Sequence, residues 1–182
     1  MSNYLVTGAA GFIGSSLVEA LLDADHFVVG LDNMSNGFQA NIDFLDTHPN
    51  RDNYTFIKGD ITHYSDCVKA CNGVDYVLHH AALGSVPKSV ENPAIYNRHN
   101  IDGTFNMMKA SQEAHVKRFV YASSSSIYGD DPTLPKIETM LPTPKSPYAI
   151  SKMTNEYYGS FFYDVHKLPT IGLRYFNVFG PR

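Results

Sequence analysis

Six short runs rich in β-branched and aromatic residues alternate with longer stretches of helical period, and that alternation leaves few architectures open. The runs fall at residues 4–7, 27–31, 54–58, 76–79, 118–122 and 170–174, each apolar enough to be buried on both faces of a parallel sheet. Helical stretches open near Gly11, Ser65, Asn92 and Ser146. The prediction is an α/β fold, a doubly wound parallel sheet with helices on both faces. Residues 33–53 are polar and weakly periodic, which predicts a loop carrying a short helix. Residues 130–147 hold Pro132, Pro135, Pro142, Pro144 and Pro147 and predict an ordered surface loop. At 182 residues, 43% of them apolar, the chain suits one domain.

Charge and hydropathy narrow the function classes. The formal net charge is −4, with Lys and Arg scattered, so there is no electrostatic footprint for nucleic acid or an anionic membrane. Apolar runs such as 17–22 are too short to span a bilayer, and the N-terminus lacks the layout of a secretion signal. The expectation is a cytoplasmic protein acting on a small molecule. Cys67 and Cys71 stand four apart in a helical stretch, which suits one packed face of reduced thiols rather than a disulfide or metal site.

Directly after the first run comes Thr7-Gly8-Ala9-Ala10-Gly11-Phe12-Ile13-Gly14. Glycines here permit a tight turn, close approach of backbone to a pyrophosphate and close helix–strand packing, while N–H groups at the helix start, at Phe12 and Ile13, meet negative charge. The pattern fits the dinucleotide turn of a Rossmann fold, and in isolation it fits a Gly-rich turn without a ligand as well. Asp32 ends the second run, where a carboxylate accepts hydrogen bonds from ribose hydroxyls and repels a 2′-phosphate, so the pattern selects NAD over NADP. A strand-end turn would use Asp32 and its neighbour Asn33 equally well. Asp60 and Ile61 follow the third run, either at the adenine end or, for Asp60, as a helix cap.

Tyr148 and Lys152 stand four apart on a helical stretch and share one face. A free tyrosine titrates near ~10, and a neighbouring ammonium plus a positive nicotinamide ring would stabilise its phenolate as a base. The run Ser123-Ser124-Ser125-Ser126 begins where the fifth strand ends, at the carboxyl edge where such sheets bind ligands. Ser124 is the candidate hydroxyl for the reacting oxygen. Ser125 and Ser126 are candidate substrate contacts, and Ser123 and Ser125 suit a strand end or turn equally.

Together these motifs resemble the extended short-chain dehydrogenase/reductase family, in its NAD-dependent epimerase/dehydratase branch, whose turn likewise spaces its glycines Gly-x-x-Gly-x-x-Gly. The resemblance spans essentially the whole chain. It implies NAD as cofactor, a catalytic Ser124, Tyr148 and Lys152, and NAD contacts at Ala81, Ala82, Asn100 and Tyr175, with Asn100 equally open to a structural role. Asn177 matches a substrate contact. Dehydratases of the family place carboxyl groups immediately after the catalytic hydroxyl, and related decarboxylases keep a glutamate at the second position. Ser125 and Ser126 stand there instead.

What remains is chemistry that requires only reversible oxidation at one carbon, and the resemblance implies that this is C4 of a UDP-sugar, passing through a transient 4-keto intermediate to epimerisation. Residues 82–89 resemble the loop of bacterial UDP-N-acetylglucosamine 4-epimerases of surface-polysaccharide pathways, with Ser85 and Ser89 as sugar or phosphate contacts; from the residues alone this is a polar turn. UDP-glucose or UDP-glucuronate are alternative substrates. The family's smaller C-terminal substrate region has no counterpart in these residues, so the resemblance implies a truncated chain of low activity. A non-catalytic NAD-binding module and an ordinary NAD-linked oxidoreductase remain as alternatives. The family pairs subunits through helices that fall here near 92–113 and 146–166, implying a homodimer. Tyr157, Tyr158, Phe161 and Phe162 suit that interface or the core.

Overall fold

A computed structural model describes residues 1–181. Six parallel strands form one sheet in the order β3-β2-β1-β4-β5-β6. They are β1 Asn3–Thr7, β2 Phe27–Asp32, β3 Tyr54–Lys58, β4 Tyr76–His79, β5 Arg118–Ala122 and β6 Thr170–Leu173. The helices are α1 Phe12–Asp23, α2 Tyr64–Cys71, α3 Val86–Glu91, α4 Pro93–Tyr96, α5 Gly103–Glu113 and α6 Pro147–Asp164. Strand order reverses direction between β1 and β4, whose last paired residues are Thr7 and His79, and ligand crevices open at such a point.

Successive strand residues point to opposite faces, and the core divides accordingly. Leu5 packs with Leu31, Val77, Phe119 and the buried stripes of α2 and α5, whereas Val6 packs with Val18, Leu22 and Val28 beneath α1. Cys67, Ala70 and Cys71 form the buried stripe of α2, as the helical reading predicts. Both cysteines are free, and burial pushes their thiols up to about 12 and about 11, which makes them inert packing residues.

Four expectations need correction. The edge strands β3 and β6 are largely exposed rather than buried on both faces, because each has a neighbour on one side only. The sixth strand stops at Leu173, since Arg174 turns to pair with Glu156 of α6 (Nη2–Oε2 2.8 Å, Nε–Oε1 3.0 Å). Residues 86–91 form α3, with Ser85 as its N-cap and Pro87 in the first turn, where a missing N–H costs nothing. The helix expected from Asn92 is not regular, for a wide π-type stretch, Asn97–Asp102, separates α4 from α5. The 33–53 segment forms short 3₁₀ turns, and residues between Tyr128 and Ser146 hold no helix.

Candidate active site

At the nucleotide end, Gly8 takes φ +70°, and a β-carbon there would lie 2.9 Å from the Ala81 nitrogen. A β-carbon on Gly14 would lie 2.0 Å from the Gly8 carbonyl oxygen, so only hydrogen fits where α1 crosses the turn. Gly11 caps α1 without any side-chain hydrogen bond, leaving N–H groups of the first turn free beside the cleft. Asp32 is almost buried; its Oδ2 accepts from the Ala10 N–H (3.0 Å) and its Oδ1 from the Met34 N–H (2.8 Å). Each oxygen keeps acceptor capacity beyond these bonds. Asp32, Asn33, Gly8, Gly11, Ile61, Ala81 and Ala82 line one cavity, joined by Leu83 and His99. The Asn33 amide donates to Asp60 Oδ2 (2.9 Å). Burial raises the Asp60 carboxyl, but hydrogen bonds from Asn33 and Thr62 outweigh it and hold it below its usual value.

The second part of the cleft, about 930 Å³, runs from Phe12 and Ile13 past Ser124, Ser125 and Ser126 to Tyr148, Lys152, Tyr175 and Asn177. Its position follows from α6, which Ser146 caps by accepting from the Ala149 N–H (3.1 Å), with Pro147 in the first turn. The buried face of α6 carries Ser151, Lys152 and Asn155 where a purely structural helix would carry apolar residues. Lys152 Nζ donates to the Ala122 carbonyl (2.8 Å) at the end of β5 and lies 5.8 Å from the Tyr148 ring centroid. Burial pulls its ammonium down to about 8. In the protein alone, burial raises the Tyr148 phenol, a hydrogen bond with Ser124 partly offsets this, and Tyr96 raises it further.

Lys152→Met is expected to stabilise the fold while destroying function. The ammonium titrates at about 8 when folded and 10.5 when free. The unfolded state therefore holds the extra proton between those values, and wild-type stability rises through that window. The advantage of the variant is largest below pH 8 and narrows toward pH 10.5. Urea unfolding of both proteins across this range checks it, and a difference independent of pH would show that the buried charge is not what costs stability.

Three predicted contacts are used otherwise. Asn100 is fully buried, and its side chain brackets Leu83, accepting from the N–H (2.8 Å) and donating to the carbonyl (3.0 Å). The same amide also donates to Ser151 Oγ (3.2 Å). Ser89 is fully buried with its hydroxyl donated to Val86 O (2.6 Å), so it meets no ligand. Ser85 caps α3, accepting from Lys88 N–H (3.4 Å), and is not among the residues lining the cleft. Ser123 lines the cleft, but its Oγ donates to Glu156 Oε1 (2.5 Å).

Sequence reasoning missed a buried polar chain beneath the site. Thr7 Oγ1 accepts from the N–H groups of His80 (3.2 Å) and Ala81 (3.1 Å), so its own proton must go to His79 Nδ1 (2.7 Å). His79 is then neutral with its proton on Nε2, donated to Thr104 Oγ1 (3.0 Å). Burial holds its pKa well below 6.5, in agreement. Asn155 of α6 donates to Thr104 Oγ1 (3.2 Å) and to the Asn100 carbonyl (3.0 Å). The dinucleotide turn and α6 are thereby tied together. The one available signal was Asn155, a polar residue three positions past Lys152 on the same face. His80, which matches the family's motif after the fourth strand but carries no role in the sequence reading, lines the cleft and shares a hydrogen bond with the Tyr175 hydroxyl (3.1 Å).

Residues 4–182 match the model of the NAD dependent epimerase/dehydratase family. The chain belongs to that family. Among solved structures it is similar to the UDP-N-acetylglucosamine 4-epimerase of Methanobrevibacter ruminantium, with 42% identity and a TM-score of 0.92 over 100% of this chain and 56% of that one. A UDP-glucose 4-epimerase of Thermus thermophilus, solved with NAD, shares 36% identity at a TM-score of 0.88, over 99% and 57% of the respective chains. A curated relative, the UDP-glucose 4-epimerase of Mycolicibacterium smegmatis, is 39% identical over 98% of this chain and 56% of its own length. The chain thus spans a little over half the length of the relatives it matches. The fold is the Rossmann fold of these nucleotide-sugar enzymes, and the cofactor of the family is NAD.

Proposed function

We propose that this chain carries the catalytic residues of a UDP-sugar 4-epimerase. One observation supports the reading above others: the cleft gathers Ser124, Tyr148 and Lys152 beside the dinucleotide turn, and no Asp or Glu is among its described lining residues. Eliminating water from the sugar needs a carboxyl acid or base at the reacting carbons. Nothing of that kind lines the cleft, whereas oxidation and reduction at a single carbon needs one hydroxyl base.

The residues present fit NAD. The Gly8 turn leaves no room for side chains, uncapped N–H groups of α1 suit a pyrophosphate, and Asp32 offers acceptors to ribose hydroxyls. When bound, NAD would supply a reversible hydride acceptor and a positive ring that adds to Lys152 in favouring phenolate. Tyr148 takes the proton of the sugar 4-hydroxyl and later returns it. Ser124 donates a hydrogen bond to the same oxygen, which gains most as the oxygen changes charge. Lys152 holds the nicotinamide ribose. Turning the 4-keto sugar would present its other face for return of the hydride to C4, and with Tyr148 giving the proton back to the oxygen this would yield the C4 epimer.

UDP-N-acetylglucosamine is the substrate to test first. Exposed Tyr157 and Phe161 on α6 and Ile95 on α4 support a homodimer through these helices, while Phe162 belongs to the core and Tyr158 packs against it. No helix among the described residues is long and apolar enough to cross a membrane. The reading includes a cytoplasmic role in polysaccharide precursor supply. Proton NMR of the anomeric region, with NAD and UDP-N-acetylglucosamine, tests the reaction. Conversion to the C4 epimer without net NADH supports it, net NADH assigns a dehydrogenase instead, and failure with every UDP-sugar tried, despite bound NAD, leaves a binding module.

A further inference from the structure

We propose that Ser126 is a positioning residue that fixes Ser124 as a hydrogen-bond donor toward the Tyr148 oxygen. Ser124 lies in extended backbone and caps the 3₁₀ turn Ser125–Tyr128. Its Oγ receives two hydrogen bonds from one residue, from the Ser126 N–H (3.1 Å) and from the Ser126 hydroxyl (2.9 Å). A serine hydroxyl has two acceptor sites and one proton. With both acceptor sites filled, the proton is the only polarity left, and it is available to the cleft that Ser124 lines together with Tyr148, whose phenol is made more acidic by its interaction with Ser124. Ser124 is almost buried, so water does not compete freely for these sites.

The turn that holds the pair is itself anchored. The Ser125 N–H donates to the Tyr175 carbonyl (2.8 Å), Ile127 is fully buried, and Thr143 N–H closes on the Ile127 carbonyl (2.8 Å). Ser126 therefore keeps its place while Ser124 reads out its polarity. A carboxylate at position 126 would do the reverse, accepting the Ser124 proton and leaving its lone pairs toward Tyr148. A hydroxyl at this position thus favours ionised Tyr148 and supplies a donor to an oxygen bound between the two residues.

The inference rests on Ser124 and Tyr148 as the reacting pair, and its test does not require turnover. Difluorotyrosine placed at position 148 has a more acidic phenol that titrates while the protein is folded, and fluorine NMR follows it. Ser126→Ala should make that phenol an acid weaker by at least about threefold, the size expected for one lost hydrogen bond, and Ser126→Thr should restore it. In a Ser124→Ala background, Ser126→Ala should add nothing, because its effect passes through Ser124. No shift in the wild-type background, or an equal shift in both, would overturn the proposal. Under the epimerase reading, Ser126→Ala also lowers kcat with KM held. A titration that behaves as stated beside a chain that converts no UDP-sugar would sustain the hydroxyl relay and remove the epimerase reading alone.

Discussion

Tyr148→Phe is expected to slow epimerisation about a thousandfold, the contribution of a positioned proton-transfer group, while NAD remains bound. The ring keeps its place, because it packs edge-on against Tyr96 (centroids 6.5 Å apart, interplanar 89°) and not through its hydroxyl. What goes is the hydroxyl that the proposed mechanism uses to take the sugar proton. Single-turnover NMR with UDP-N-acetylglucosamine, alongside calorimetric titration of NAD, separates the possibilities. A retained rate would move proton transfer to another residue, and a joint loss of NAD binding and rate would make Tyr148 a scaffold residue.

Gly14→Ala should be the most damaging single methyl in the chain. Its β-carbon would sit 2.0 Å from the Gly8 carbonyl oxygen and 3.1 Å from the Ala9 Cα, both backbone atoms that cannot swing aside. Relief requires α1 to lift from the sheet, which would unpack Val18 and Leu22 from Val6 and Val28. Overpacking of this kind costs about 3 kcal/mol, and the displaced turn would lose its NAD. Gly84→Ala is the control: nothing lies within 4 Å of its β-carbon, so its unfolding midpoint in urea should match wild type. Equal midpoints for Gly14→Ala and wild type would show that the helix yields more easily than the packing implies.

Features that depend on neighbours in the chain were legible in advance. The turn from Gly8 to Gly14 works through adjacent backbone, and Tyr148 and Lys152 are joined by a single helical turn. The cysteine stripe of α2 and the proline-rich loop after Tyr128 are likewise local, set by period and backbone restriction. The α/β order itself followed from alternation of two periods, with the strand order 3-2-1-4-5-6 as its spatial outcome.

Contacts across large separations were not legible. Asn100 reaches Leu83 through a local widening of its helix that no periodicity announces, and Ser89 is buried because α3 exists where a polar turn was expected. Arg174 leaves the sixth strand for Glu156, and His79 joins Thr7 to Thr104, pairings that need the folded sheet before they can form. The amino-acid sequence by itself determined the fold class and the dinucleotide turn, since each is written in residues a few positions apart, and it named the candidate reacting groups. Only the tertiary structure decided which hydroxyls line the cleft, what Ser124 accepts from and in which direction burial moves Tyr148 and Lys152. Polarity and acidity at a site are set by desolvation and by partners from other elements, and those are brought together only by folding.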